Sequence, residues 1–225
     1  MSDDRYNFLN GYKLYEAASE KDLLRPEMER IHFLGGFAYA TDSHILVRVP
    51  LSICTSFEPE EAAELNGFCI HRKLLKMIYG FDRVKIERTM TAEDAYGNLL
   101  TDAQIIVYIT VVFQGEQIRF RLERSNLPFV EQFEKILQSE GERRPLSRIG
   151  LNTRLLSKVS AAMNMELVSM DFTTESNKIY ITSTNALNSG AMAIIMPVMV
   201  SGTLPGMGDE DESEESSDET GRTEE

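Results

Sequence analysis

Apolar and polar positions along the chain fall into a plan that recurs. Over Tyr12–Ser19, Leu14, Tyr15, Ala17 and Ala18 share one face if the segment is helical, because a helix returns to the same side every three or four residues. A polar stretch, SEKDLLRPE, follows, and Pro26 ends any helix there because proline has no amide hydrogen to donate. The runs MERIHFL and FAYAT read as strands. Between them, Gly35-Gly36 predicts a tight hairpin, since both central positions of such a turn take positive φ. His44 to Val49 reads as a further strand, closed by Pro50, and the polar residues 55–66 as a surface connector.

The same plan returns twice. Phe68-Cys69-Ile70 is a short strand and His71–Tyr79 a helix with Leu74, Leu75 and Ile78 on one face. Strands follow at Val84–Ile86, Ile105–Phe113 and Glu116–Leu122, with the polar residues 89–104 read as a long loop. In the third copy Arg148–Leu151 is a strand, Asn152 an N-cap and Thr153–Met163 a helix with Leu155, Leu156, Val159 and Met163 together. Strands are predicted at Leu167–Phe172, Lys178–Thr182 and Ala191–Val200. Pro197 marks the last as an edge or terminal strand, because it cannot donate to a ladder. Strand, helix and three strands thus recur at about 60–80 residues, a structural repeat rather than one of identical letters. The expected class is α+β, with helices on one face of antiparallel sheets.

Composition narrows the class. With 225 residues, 42% hydrophobic and 26% charged, the chain is long enough for one large or two small domains with a core that needs no metal or disulfide. No apolar run reaches the ~18 residues of a membrane helix. The polar, acidic start MSDDRYNFLNGYK does not read as a secretory signal. Cys54 and Cys69 lack CxxC spacing and are expected to be reduced, buried thiols in a cytoplasmic protein with no membrane partner.

The net charge of −13 is unevenly placed. Residues 206–225 hold ten acidic residues and one arginine, a net of −9, which leaves −4 for the other 205. Such a tail cannot bury enough apolar surface to offset its ordering entropy, so residues 204–225 are expected to be disordered. They would act either as a solubilising terminus or as an electrostatic competitor of nucleic acid for a basic surface. Two helices run against this acidity. HRKLLKMIY carries Arg72, Lys73 and Lys76 and no acid, and LNTRLLSKVSAAM carries Arg154 and Lys158 and no acid. Arg154 and Lys158 lie four apart and share a face. These five cations make either an ordinary solvated helix surface or a sequence-independent, DNA-facing one.

Catalytic patterns are absent. His32, His44 and His71 form no HxxxH or HExxH motif, no Cys/His cluster has metal spacing, and there is neither a P-loop nor a GxGxxG. In Asp42-Ser43-His44 the triad residue types are adjacent, so their side chains cannot converge into a relay. Nothing favours an enzyme; no catalytic residue, metal or cofactor is expected.

Several strings resemble bacterial sliding clamps, the DNA polymerase III beta subunit. Tyr39-Ala40-Thr41-Asp42-Ser43-His44-Ile45-Leu46 is similar to the "ATDGHRL" segment of the clamp's middle domain, and Ile195-Met196-Pro197-Val198-Met199-Val200 to its terminal "MPMRL". AASEKDLLRPEMERIHF resembles the clamp's helix-loop-strand, and Phe68–Leu75 its "IPRK" helix start. Asn126–Val130 sits where the family has "FPDY", and Ile149-Gly150-Leu151-Asn152 with Leu155-Leu156 resembles its "IGFN…YLLD". The resemblance runs in order over about residues 12–200 and implies a DNA-clamp fold. Residues 1–143 correspond to the middle domain and 144–203 to half of the last, three half-domain units where the bacterial subunit has six.

In that family a hydrophobic pocket receives short peptides from polymerases and other partners. The matching positions are Thr41, Ser43, His44, Ile45, Leu46, Pro128, Met196, Pro197, Val198 and Met199. Apolar, flexible methionine suits such a groove. Ser43 stands where the family has glycine, and Ile45 and Met199 where it has arginine, so the pocket would be less basic. The resemblance implies a non-catalytic replication accessory (processivity) protein that binds partner peptides and encircles double-stranded DNA as an oligomer. The alternative is a monomeric peptide-binding protein or decoy that does not encircle DNA.

Overall fold

The computed structural model describes residues 11–79, 84–93, 99–113, 116–138, 150–172, 178–184 and 190–197. The first unit is a short helix, α1 (Leu14–Ala17), a 3-10 turn (Pro26–Glu29), and three strands, β1 (Arg30–Leu34), β2 (Phe37–Thr41) and β3 (Ile45–Pro50). Two short helices, α2 (Leu51–Cys54) and α3 (Pro59–Ala63), lead to the second: β4 (Phe68–His71), α4 (Arg72–Ile78), then β5 (Val84–Glu93), β6 (Leu99–Phe113) and β7 (Glu116–Arg121). After β8 (Glu123–Arg124) and α5 (Leu127–Gln138), the third unit is α6 (Thr153–Met163) with β9 (Val168–Phe172), β10 (Ile179–Ser183) and β11 (Met192–Ile195). Among the described residues, no helix is long and apolar enough to cross a membrane.

Local chemistry accounts for these elements. Gly35 and Gly36 adopt φ of 58° and 80°, the positive values required to join β1 to β2 in a two-residue turn. The His71 imidazole accepts a hydrogen bond from the Lys73 amide at the start of α4. Asn152 caps α6 through the Arg154 amide at 3.0 Å, and Asn164 ends that helix in the left-handed conformation that asparagine tolerates.

All strand pairs are antiparallel, in an eight-stranded sheet of order β8-β4-β1-β2-β3-β11-β10-β9 and a three-stranded sheet β5-β6-β7. The fold is therefore α+β. Along each strand of the large sheet the side chains alternate between two faces. Ile31 and Phe33, Ala38 and Ala40, Ile45, Val47 and Val49, Ala193 and Ile195, and Ile179 and Ile181 share the main core. Leu14, Ala17, Leu75, Ile78, Val159 and Met163 join it from α1, α4 and α6, and Val107, Ile109 and Val111 from β6. Tyr39, Leu46 and Ile194 emerge on the other face, where Val130, Phe133 and Leu137 of α5 cover them.

Four expectations change. Helices on one face describes α1, α4 and α6, whereas α5 lies on the opposite face. The last strand is not an edge: β11 lies between β3 and β10, and among the described residues Pro197 follows the last paired residue, Ile195. The loop expected over 89–104 is largely hairpin, since β5 runs to Glu93 and β6 begins at Leu99. The first helix is four residues, not eight. The large sheet takes strands from both sides of residue 143, through β3–β11 pairing. The acidic tail lies outside the described residues.

Candidate partner-binding groove and basic surface

The segments expected to line a groove meet through backbone pairing. Ile45 pairs with Ile195, Thr41 with Leu46, and the Met196 amide donates to the His44 carbonyl at 2.9 Å. The intervening turn is braced from within. Asp42 Oδ1 accepts from the His44 and Ile45 amides, both at 3.0 Å, and Thr41 Oγ1 donates to the Ile45 carbonyl at 2.7 Å. Ser43 Oγ donates to the Asp42 carbonyl, and the Ser43 amide donates to Thr41 Oγ1 at 3.2 Å. Ser43 has φ of 72°, in the left-handed region where glycine carries no penalty and other residues are disfavoured by roughly 1–2 kcal/mol. A glycine at this position would carry no such cost.

The groove residues divide by exposure. Ser43, His44, Met196 and Pro128 are exposed and Pro197 is half-buried. Thr41 is buried and its hydroxyl is used within the turn. Ile45 points into the main core, so it cannot line the groove. Leu46 is 6% exposed beneath α5, in one cluster with Tyr39, Val130, Phe133 and Ile194. Pro128 lies in the first turn of α5, and Val198 and Met199 lie outside the described residues. The open surface thus comprises Ser43, His44, Met196 and Pro197, with α5 on the same sheet face. A concavity of about 660 Å³ lies elsewhere, between Lys13, the end of α6 and Ser183–Thr184, and none of the groove residues lines it.

Helix α5 is the longest element not expected from the sequence, although Val130, Phe133 and Leu137 carry the helical spacing. Its polar anchor is Glu134, which receives the Tyr39 hydroxyl and the Arg48 guanidinium, the latter at 3.3 Å to both oxygens. Arg48 also lies 4.6 Å over the Phe37 ring. Burial pushes the Glu134 carboxyl up, but the Tyr39 and Arg48 hydrogen bonds outweigh it and hold the group below its ordinary value. Burial, reinforced by the Glu134 bond, pushes the Tyr39 hydroxyl well above its usual range.

Beside α5 lies a fully buried histidine. His32 Nε2 is 2.8 Å from the Glu27 carbonyl and Nδ1 is 3.2 Å from Ser125 Oγ. Burial holds its pKa below the ordinary value. A depressed histidine contributes stability above its unfolded pKa, and that contribution is lost as pH falls through about 6.5 toward the folded value. The urea midpoint should therefore drop between about pH 7.5 and 5.5, and His32→Gln should flatten that part of the profile. A wild-type profile that rises over this interval would show that His32 does not set it.

The five cations also divide. Lys73, Lys76 and Arg154 are exposed, and Lys76 Nζ lies 5.8 Å from the Tyr15 ring centroid. Arg72, expected to face DNA, is 8% exposed: its Nε donates to the Tyr15 carbonyl at 3.0 Å and it pairs with Glu20 at 3.5 Å. It ties α4 to α1 and does not join the surface. Lys158 Nζ is bonded to Asp42 Oδ2 at 2.6 Å, which commits it to the β2–β3 turn. Cys54 and Cys69 are free and buried, and burial raises both thiols, Cys69 to about 11. That is the environment of unreactive packing cysteines.

Compared with known proteins, the chain matches no family model, and no curated protein is significantly similar to it.

Proposed function

We propose that this chain is a non-catalytic, clamp-like accessory protein of DNA replication that binds short apolar peptides of its partners, polymerases among them. The carrying observation is the junction of Thr41–Leu46 with Met196–Pro197, two segments 150 residues apart in sequence joined by the Met196–His44 hydrogen bond. The resemblance of both strings to clamp motifs supports the same reading, as does the recurrence of helix and three strands in each unit. The peptide would add its apolar side chains to Met196 and Pro197 and meet α5 alongside.

The distribution of charge favours peptide binding without encirclement over a closed ring. Arg72 and Lys158 are engaged within the protein, which leaves three of the five proposed DNA-facing cations exposed. DNA affinity rises with the number of phosphates neutralised, so three cations per chain make a weak footprint. Mass in solution and retention on circular against linear duplexes separate the two: a ring slides from linear ends, whereas a peptide-binding monomer ignores both.

The groove is tested with a fluorescein-labelled clamp-binding peptide read by anisotropy. Met196 is 41% exposed, so a Met196→Glu change places a charge at the contact without disturbing the core. It should weaken binding about tenfold or more, equivalent to ~1.4 kcal/mol. Absence of binding by the wild-type chain, or equal binding by both, removes the groove reading.

A further inference from the structure

Three helices make one layer against the large sheet: α6 packs on α1, and α1 on α4. In this layer Lys73 and Lys76 of α4 and Arg154 of α6 are exposed, as is Met77 next to Lys76. α4 contains no acidic residue, and neither does α6. Among the described residues none of the three cations makes an ion pair, while Glu20 in the same region is taken up by Arg72. The body of the protein is net acidic, yet α4 and α6 carry none of that acidity; within the layer Glu16 of α1 is the acidic residue.

The opposite charge follows closely in the chain. Described residues end at Pro197, beside the β2–β3 turn, because the Met196 amide is bonded to His44. Asp42 of that turn is bonded to Lys158, one helical turn beyond Arg154. The described chain thus ends beside the turn that holds Lys158 of α6, and residues 206–225 carry the net charge of −9. Neighbouring helices lie ~8–10 Å apart, so α6 to α4 is ~20 Å across. A random chain of 28 residues has an r.m.s. span of ~30 Å, which is enough to cross it.

We infer that the acidic segment 206–225 docks in cis on the face formed by Lys73, Lys76 and Arg154, where it excludes other polyanions. The contact is electrostatic and exchanging. Exposed ion pairs contribute only ~0.2–1 kcal/mol each. Tethering supplies an effective concentration on the order of millimolar, which sustains a partial population that a free peptide of the same sequence would not reach. Salt weakens it, because the Debye length falls to ~8 Å at physiological ionic strength. The inference does not rest on the groove reading: Met196, Pro197 and His44 enter it only as the point where the described chain ends.

The test is paramagnetic relaxation in the full chain, with a nitroxide on Ser213→Cys. Cys54 and Cys69 are both 0% exposed, so labelling is confined to the new thiol. At about 20 mM salt the amides of Lys73–Met77 and Thr153–Lys158 should broaden selectively, and the effect should fade toward about 0.5 M. Lys73→Glu with Lys76→Glu and Arg154→Glu should remove it, while the folded spectrum is kept because all three side chains are exposed. A truncation after Pro205 should bind duplex DNA or heparin more tightly than the full chain at low salt. Broadening spread evenly over the surface, or unchanged by salt in the unmutated segment, overturns the inference.

Discussion

Phe133→Ala should destabilise the α5 side of the protein by about 3–5 kcal/mol, the usual range for emptying a buried aromatic. Phe133 is 5% exposed, with ring centroids 4.8 Å from Phe129, 6.1 Å from Tyr39 and 6.4 Å from His32. It is the largest fully packed apolar side chain that α5 contributes to its cluster with Tyr39, Leu46 and Ile194, Phe129 being only partly buried. That cluster is a satellite of the main core, on the face away from α1, α4 and α6. The loss should therefore be local first: hydrogen exchange of α5 amides accelerates strongly, while β1, β2 and β3 keep their protection. Dye binding should rise as Tyr39, Leu46 and Ile194 are uncovered. Unchanged exchange in α5 would mean that the Glu134 contacts with Tyr39 and Arg48, rather than apolar packing, hold the helix down.

The contrast between α5 and α6 shows what the chain discloses in its letters. For α6, Asn152 supplies a cap and Leu155, Val159 and Met163 the stripe; each signal is local, and the observed helix has the boundaries read from it. In α5, the stripe of Val130, Phe133 and Leu137 is interleaved with Ile136 and Phe129. Strand alternation was equally legible: β2 and β3 show which residues share a face. What the alternation omits is which face needs a cover. Tyr39, Leu46 and Ile194 make a second apolar side only when three strands from distant segments lie adjacent, a fact of pairing rather than of sequence.

The same limit applies to the site. Collinear motifs placed Thr41–Leu46 near Met196, and the β3–β11 register joins them. Exposure was less legible. Arg72 and Lys73 are neighbours in a basic helix, but one is turned inward to the Tyr15 carbonyl and the other outward. A long cation inside a helix layer is accommodated because its stem packs while its head is hydrogen-bonded. The carbonyl it serves belongs to α1, 57 residues earlier, and no local pattern announces that partner.

Asp42→Ala is expected to lower stability by about 2–4 kcal/mol and to abolish peptide binding at the groove. The side chain is 8% exposed and accepts three hydrogen bonds, from the His44 and Ile45 amides and from Lys158 Nζ. These are unequal in consequence. His44 is exposed and its amide can turn to water, and Lys158, 36% exposed, can swing into solvent. The Ile45 amide lies at the start of a buried strand, and leaving such a group unpaired costs ~1–3 kcal/mol. Asp42→Asn keeps an oxygen for both amides but loses the charge and the acceptor that Lys158 uses, so it should cost about 1 kcal/mol, and Lys158→Met about 0.5–1. The predicted order, Ala well above Asn and Asn near Lys158→Met, separates turn geometry from charge pairing in denaturant titrations. Exchange at the Met196 amide supplies the functional readout, because its acceptor is the His44 carbonyl of the same turn. With Asp42→Ala that amide should lose protection and the labelled peptide should no longer bind, while Asp42→Asn retains both. Equal losses for Ala and Asn would instead make the Lys158 ion pair the element that holds the turn.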